Sequence, residues 1–213
     1  MLWHSRSSTP RQYPPGFIAP CLPTNARTVP TGPQWAYEIK HDGFRFICRR
    51  DGDRVRVYSR NGRDWTDRVP LIAEALAGLR VRSVTLDGEG VVCRSDGVSD
   101  FDRLRAAVGP LGSRDAFLYA FDLLEIDGED LRRYEWHVRR ATLRSLVKRA
   151  GPGIRLSDHL EGDGMAAFRH ACRMGLEGIV AKRRDKPYRS GRSPDWIKVK
   201  NPDAPAATRV IEW

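Results

Sequence analysis

Between Trp35 and Ser59 three stretches, WAYEIKH, FRFICRR and RVRVYS, alternate or run apolar, with Asp42-Gly43 and Asp51-Gly52 between them and Asn61-Gly62 after the third. Such dipeptides between apolar runs signal turns, because Gly and Asn tolerate the positive φ that tight reversals demand. Short strands joined this closely commit the region to antiparallel sheet. Further along, DRVPLIAEALAGL (67–79) reads as a helix, with apolar positions recurring at three and four. SVTLDGEGVVCRS predicts a strand pair bent at Gly88, and SDFDRLRAAV a helix capped by Ser99. FLYAFDLLEI predicts a long buried strand, YEWHVRRATLRSLVKRA an amphipathic helix, and residues 163–174 another helix before the closing strands GIVAKR and DWIKVK. Strands and helices mix without regular alternation. The expected class is α+β on antiparallel sheets.

Charge narrows the partners. The 213 residues hold 37 Lys+Arg against 27 Asp+Glu, a formal net charge of +10 that suits a polyanion such as nucleic acid. Only six of those cations are lysines: Lys40, Lys148, Lys182, Lys186, Lys198 and Lys200. A GC-rich coding sequence produces that bias by itself, yet it makes the lysines informative. Arg stays protonated, whereas Lys can shed its proton and act as a nucleophile. No apolar run approaches the eighteen or so residues of a membrane span and no signal-peptide core follows the start, so a cytoplasmic protein without membrane partners is expected. Cys21, Cys48, Cys93 and Cys172 form no C-x-x-C pair and the five histidines no ligand spacing, so structural zinc is not expected. The first acidic residue is Glu38, and residues 1–16 read as a poorly ordered basic arm, 17–203 as the folded domain and 204–213 as a tail.

Glu38-Ile39-Lys40-His41-Asp42-Gly43-Phe44-Arg45 carries the strongest chemical signal. Strand residues two apart share a face, roughly 6.6–7 Å from one another. Glu38 and Lys40 then point one way while Ile39 faces the core. That face offers an acceptor for an exocyclic amine beside an amine that can attack phosphorus. Asp42-Gly43 is expected to turn the chain and return Arg45 to the same mouth. By the same period Lys198 and Lys200 share a face, with Ile197 and Val199 packed inward. Taken singly, each feature has an ordinary reading: a mixed-charge surface hairpin, a core Phe121, a solvated Glu177, a turn-flanking Arg60.

The segment resembles the nucleophile motif, K-x-D-G-x-R, of the ATP-dependent DNA ligases and their covalent nucleotidyltransferase relatives. Ser59-Arg60-Asn61-Gly62 looks like the segment on the ribose side of the nucleotide. Leu86-Asp87-Gly88-Glu89 is similar to the acidic motif, and Phe121-Asp122-Leu123-Leu124 to the one whose ring stacks on adenine. Glu177-Gly178-Ile179-Val180-Ala181-Lys182 and Trp196-Ile197-Lys198-Val199-Lys200 resemble the last two. Six in order, holding four of the six lysines, make the resemblance specific.

It implies an antiparallel-sheet, ATP-grasp-like adenylation domain of the bacterial repair and end-joining type, with ATP and Mg2+ as cofactors. Lys40 is the implied nucleophile. Glu38, Ile39, Arg45, Arg60, Glu89, Phe121, Lys182, Lys198 and Lys200 are the implied nucleotide contacts, and Glu89 and Glu177 the metal carboxylates. An amine attacks phosphorus only when uncharged, and a partly dry pocket with Arg45, Lys198 and Lys200 nearby favours that form. The implied substrate is nicked double-stranded DNA. An RNA ligase, a guanylyl-transferring capping enzyme and a non-catalytic DNA-end-binding module are the alternatives. Family ligases continue into an OB-fold, and Asn201 to Trp213 is too short for a barrel. A minimal ligase, a trimmed chain, or an OB-fold or end-joining factor supplied by another polypeptide are the expectations this leaves.

Overall fold

The computed structural model describes residues 13–109 and 112–204; the first twelve residues of the expected arm and the tail beyond Ala204 lie outside them. β1 (Cys21–Ala26) and β2 (Trp35–Ile39) precede the hairpin β3 (Phe44–Asp51) and β4 (Arg54–Ser59). α1 (Pro70–Ala77), β5 (Ser83–Val91), α2 (Phe101–Ala107), β6 (Phe117–Ile126), β7 (Glu129–Asp130) and α3 (Trp136–Val147) follow. The chain closes with β8 (Ile154–Leu156), β9 (His159–Glu161), α4 (Gly164–Arg173), β10 (Gly178–Arg183) and β11 (Gly191–Lys200). One sheet has the order β1-β11-β10-β2-β9, and the other β4-β3-β5-β6-β7, with β8 also paired to β6.

Alternation along the strands builds the layers. Tyr37, Ile179, Ala181 and Val199 point out of the first sheet onto Ala167 and Ala171 of α4. In the second sheet Cys48, Val57, Leu86 and Leu118 pack on Ile72 and Leu76 of α1 and Leu143 and Val147 of α3. Between the sheets Ile47, Phe121, Leu124, Tyr188 and Trp196 form a third cluster. The order is helices, sheet, sheet, helix. This is an α+β architecture in which polar residues from both inner faces share one cleft.

Several elements differ from expectation. The pairings of β1 with β11 and of β6 with β8 are parallel. Asp51-Gly52 makes its hairpin, with Gly52 at φ +58°, but Asp42-Gly43 does not. There the chain leaves β2 and crosses to β3 in the other sheet, passing so close to β5 that a Cβ on Gly43 would lie 2.2 Å from the Gly90 carbonyl oxygen. The stretch around Gly88 is one strand with an irregular register between Asp87 and Gly88, not a pair. A Cβ on Gly88 would meet the Tyr119 carbonyl at 2.7 Å, so the glycine permits close strand approach rather than a bend. Asp100, not Ser99, caps α2 by accepting from the Arg103 amide, while Ser99 Oγ accepts from the Asp42 amide at 3.2 Å. The helix expected over 67–79 begins after a 3-10 turn at Thr66–Arg68, with Pro70 in its first turn.

Candidate active site

Lys40 directly follows β2, and its backbone amide donates to the Gly178 carbonyl at 2.9 Å. Gly178 makes that junction possible: its φ is +134°, and a Cβ there would sit 2.1 Å from the Val199 carbonyl. From this sheet Glu38, Lys40, Lys182, Trp196 and Lys198 reach a cleft of about 220 Å³; from the other come Arg45, Glu89 and Phe121, with Arg60 beyond β4. Ile39 lines the cleft while packing against the α4 cluster. Glu177 and Lys200 stand beside it. Glu177 Oε2 lies 2.5 Å from Lys40 Nζ and its Oε1 3.6 Å from Lys200 Nζ. Every residue expected at the site therefore converges on one place.

The floor is a buried ion pair. Lys182 Nζ lies 2.8 Å from Glu38 Oε2, at 1% and 3% exposure. Burial pushes the Lys182 amine down and the Glu38 carboxyl up, each offset by the other's charge. The Lys182 ammonium also sits 4.4 Å from the Phe121 ring centre and 4.1 Å from that of Trp196. Glu38 Oε1 is buried without a protein partner, leaving an acceptor at the cleft floor. Arg45 departs from expectation. Its guanidinium forks onto Asp87 at 2.5 and 2.7 Å, and Tyr188 donates to the same carboxylate at 2.6 Å. Arg45 thus ties β3 to β5 and stands 4.5 Å over Phe121, while the amine of Lys40 finds a carboxylate as its contact instead. The ring of Phe121, read as an adenine platform, is attended by two cations.

Burial pushes the Glu89 carboxyl up to about 7, against the pull of Lys40 and Arg45 and with help from Glu177. Lys198 is pushed down by burial and then by Lys40 and Lys200. His41, passed over in the sequence, lines the cleft too. It stacks on Tyr119 at 4.1 Å and 11°, and its Nε2 is 3.3 Å from Ser157 Oγ. Arg140 of α3 donates to the Ser157 carbonyl. Burial and then Lys40 push the His41 imidazole down to about 4, so it is neutral at pH 7.

Arg192, Leu22 and Pro23 line the cleft unannounced, and Trp196, quoted in the last motif without a role, lines it too. Trp196 was legible, being two residues before Lys198 on one strand; the others lie on β1, unread in the sequence, or on the part of β11 before Asp195. Among the described residues no three His, Cys, Asp or Glu side chains gather into a metal cage. Glu89 and Glu177, both coupled to Lys40, supply two hard oxygen donors beside the amine. That set fits Mg2+, which takes one or two carboxylates and completes its shell with phosphate oxygens and water.

The ATP dependent DNA ligase domain family matches residues 23–200. The chain belongs to that family. It is 39% identical over 210 residues to the multifunctional non-homologous end joining protein LigD of Pseudomonas aeruginosa, covering 92% of this chain and 25% of that protein. With LigD of Mycolicibacterium smegmatis it shares 36% over 188 residues, 87% of this chain and 24% of that one. The chain spans about a quarter of the length of these relatives. Mycobacterial DNA ligase D, solved with ATP and MES, superposes with a TM-score of 0.74 at 36% identity, over 86% of this chain and 60% of that chain. The two sheets and their cleft are thus the adenylation fold of the ATP-dependent DNA ligase domain. No described helix is long and apolar enough to cross a membrane.

Proposed function

We propose that Lys40 attacks the α-phosphorus of ATP, forming a phosphorus–nitrogen bond as the bond to the β-phosphate breaks and pyrophosphate leaves. The AMP then passes to the 5′-phosphate of nicked double-stranded DNA, and the 3′-hydroxyl displaces it to seal the strand. One observation carries this reading: Lys40 lines one cleft together with Glu89, Phe121 and Lys198, and its amine meets Glu177 beside it. Lys198, Lys200 and Arg60 place positive charge where phosphate oxygens develop negative charge. Glu38 Oε1 suits the adenine amino group, and Phe121 and Trp196, edge-on to each other, line the place of the base. Ile39 and Lys182 complete the nucleotide floor, and Arg45 acts on the nucleotide through the shape it gives Phe121.

Glu89 and Glu177 would hold Mg2+ with the phosphate oxygens, and the ion would supply charge neutralisation on the leaving pyrophosphate. The relatives named for non-homologous end joining support a place in bacterial DNA-break repair; a site of action on nucleoid DNA in the cytoplasm and an OB-fold or end-joining factor as partner belong to the same proposal. Residues 17–203 are the adenylation unit in this reading. α-Labelled ATP and a divalent cation should label the protein through an acid-labile bond. Lys40→Ala and Lys40→Arg should both abolish the label, since guanidinium does not deprotonate. Equal labelling of either variant would end this reading.

A further inference from the structure

On the face of the second sheet turned away from the cleft, a groove of about 450 Å³ lies between the end of α1 and the end of α3. Arg80, Lys148 and Arg149 line it, with Leu79, Leu146 and Ser145 beneath. All three cations are exposed, and among the described residues none has a carboxylate partner. Some exposed arginines elsewhere are paired, Arg56 with Asp64, Arg94 with Asp96, Arg114 with Glu74 and Arg132 with Asp130, and others such as Arg27, Arg105 and Arg173 are not; what sets this groove apart is three unpaired cations lining it with no acidic residue among them. Arg50 reaches the same place, donating to the Leu79 carbonyl without a carboxylate of its own. The end of α3 accounts for Lys148 and Arg149, because cations suit a helix C-terminus. It does not account for Arg80, which comes from another element.

We infer that this groove is a second binding surface for the phosphate backbone of double-stranded DNA, separate from the catalytic cleft. Protein partners anchor on aromatic or apolar side chains at the centre of a patch. Here Leu79 is 3% exposed, Leu146 is packed into the core, and no aromatic residue lines the groove. Backbone binding needs only placed cations. The helix and sheet layers separate the groove from Lys40, so the phosphates it holds lie on duplex flanking the nick or on a second duplex. Only the choice of DNA over other polyanions rests on the ligase reading.

The test uses the whole chain with Arg80→Gln, Lys148→Gln and Arg149→Gln combined. Lysyl-AMP labelling should match the parent, since none of the three reaches the cleft. Binding to a long unnicked duplex should weaken, and its log–log salt slope should become shallower by about 2.7, at roughly 0.9 for each phosphate that is no longer neutralised. Arg80→Glu alone should weaken binding in the same direction. A loss confined to long duplex marks flanking DNA, and an equal loss when the same length is supplied as short duplexes in trans marks a second duplex. An unchanged salt slope would overturn the inference, as would polyglutamate competing as well as DNA. Failure of Lys40 labelling in the parent would sink the ligase reading instead, leaving the duplex measurements intact.

Discussion

Glu177 touches two of the six lysines at once, and its partners come from the ends of β2 and β11. The pairing period that put Lys198 and Lys200 on one face was readable from sequence, because a strand's two-residue repeat needs no tertiary information. The carboxylate on Lys40 was not readable: Glu177 is 137 residues away in the chain. Nor was the commitment of Arg45 to Asp87, since both stand in motif positions. At the cleft floor, Glu38→Gln leaves Lys182 buried and uncompensated and should cost about 3–5 kcal/mol in urea unfolding. The double variant Glu38→Leu with Lys182→Met should recover much of that stability. His41 sets an acid limit. Folded, it stays neutral to about 4, whereas the unfolded chain takes up a proton near the ordinary 6.5. The stability it supports is complete above pH 6.5 and declines as pH falls through that window. His41→Phe keeps a ring on Tyr119 and should flatten the decline, read as Tm against pH.

Elements were legible where they were long. β6 and α3 fall on the stretches read as a buried strand and an amphipathic helix, since ten to twelve residues of pattern outweigh end effects. β1, β8 and β9 escaped: six or three residues each, with Pro23 and Asn25 inside β1, they become strands only through distant partners. Asp42-Gly43 shows the limit of turn chemistry. The same dipeptide makes a hairpin at 51–52 and a sheet-to-sheet crossing at 42–43, because the crossing is decided by the close approach of β5. Gly43→Ala should therefore push β3 from β5 at Gly90, lowering Tm and lysyl-AMP formation together; an unchanged label would mean the crossing relaxes freely.

At the scale of the molecule, the α+β class and the family were within reach of the sequence, while the division of the strands into two sheets and the stacking of those sheets were not. That order decides which chemistry the described fold holds by itself. Pre-adenylated nicked DNA supplied without ATP should be sealed if this cleft alone completes the last step, and Lys40→Ala should seal it too, because its amine is spent earlier. Sealing by the parent and not by the variant would give Lys40 a part in the last step.

The amine belongs to one layer and Glu89 and Phe121 to the other, and the chain crosses between them from Lys40 to Gly43 and again between β8 and β9. Spreading the layers would part the amine from Glu89 and Phe121, so a substitution that wedges them open, far from the nucleophile, should slow lysyl-AMP formation.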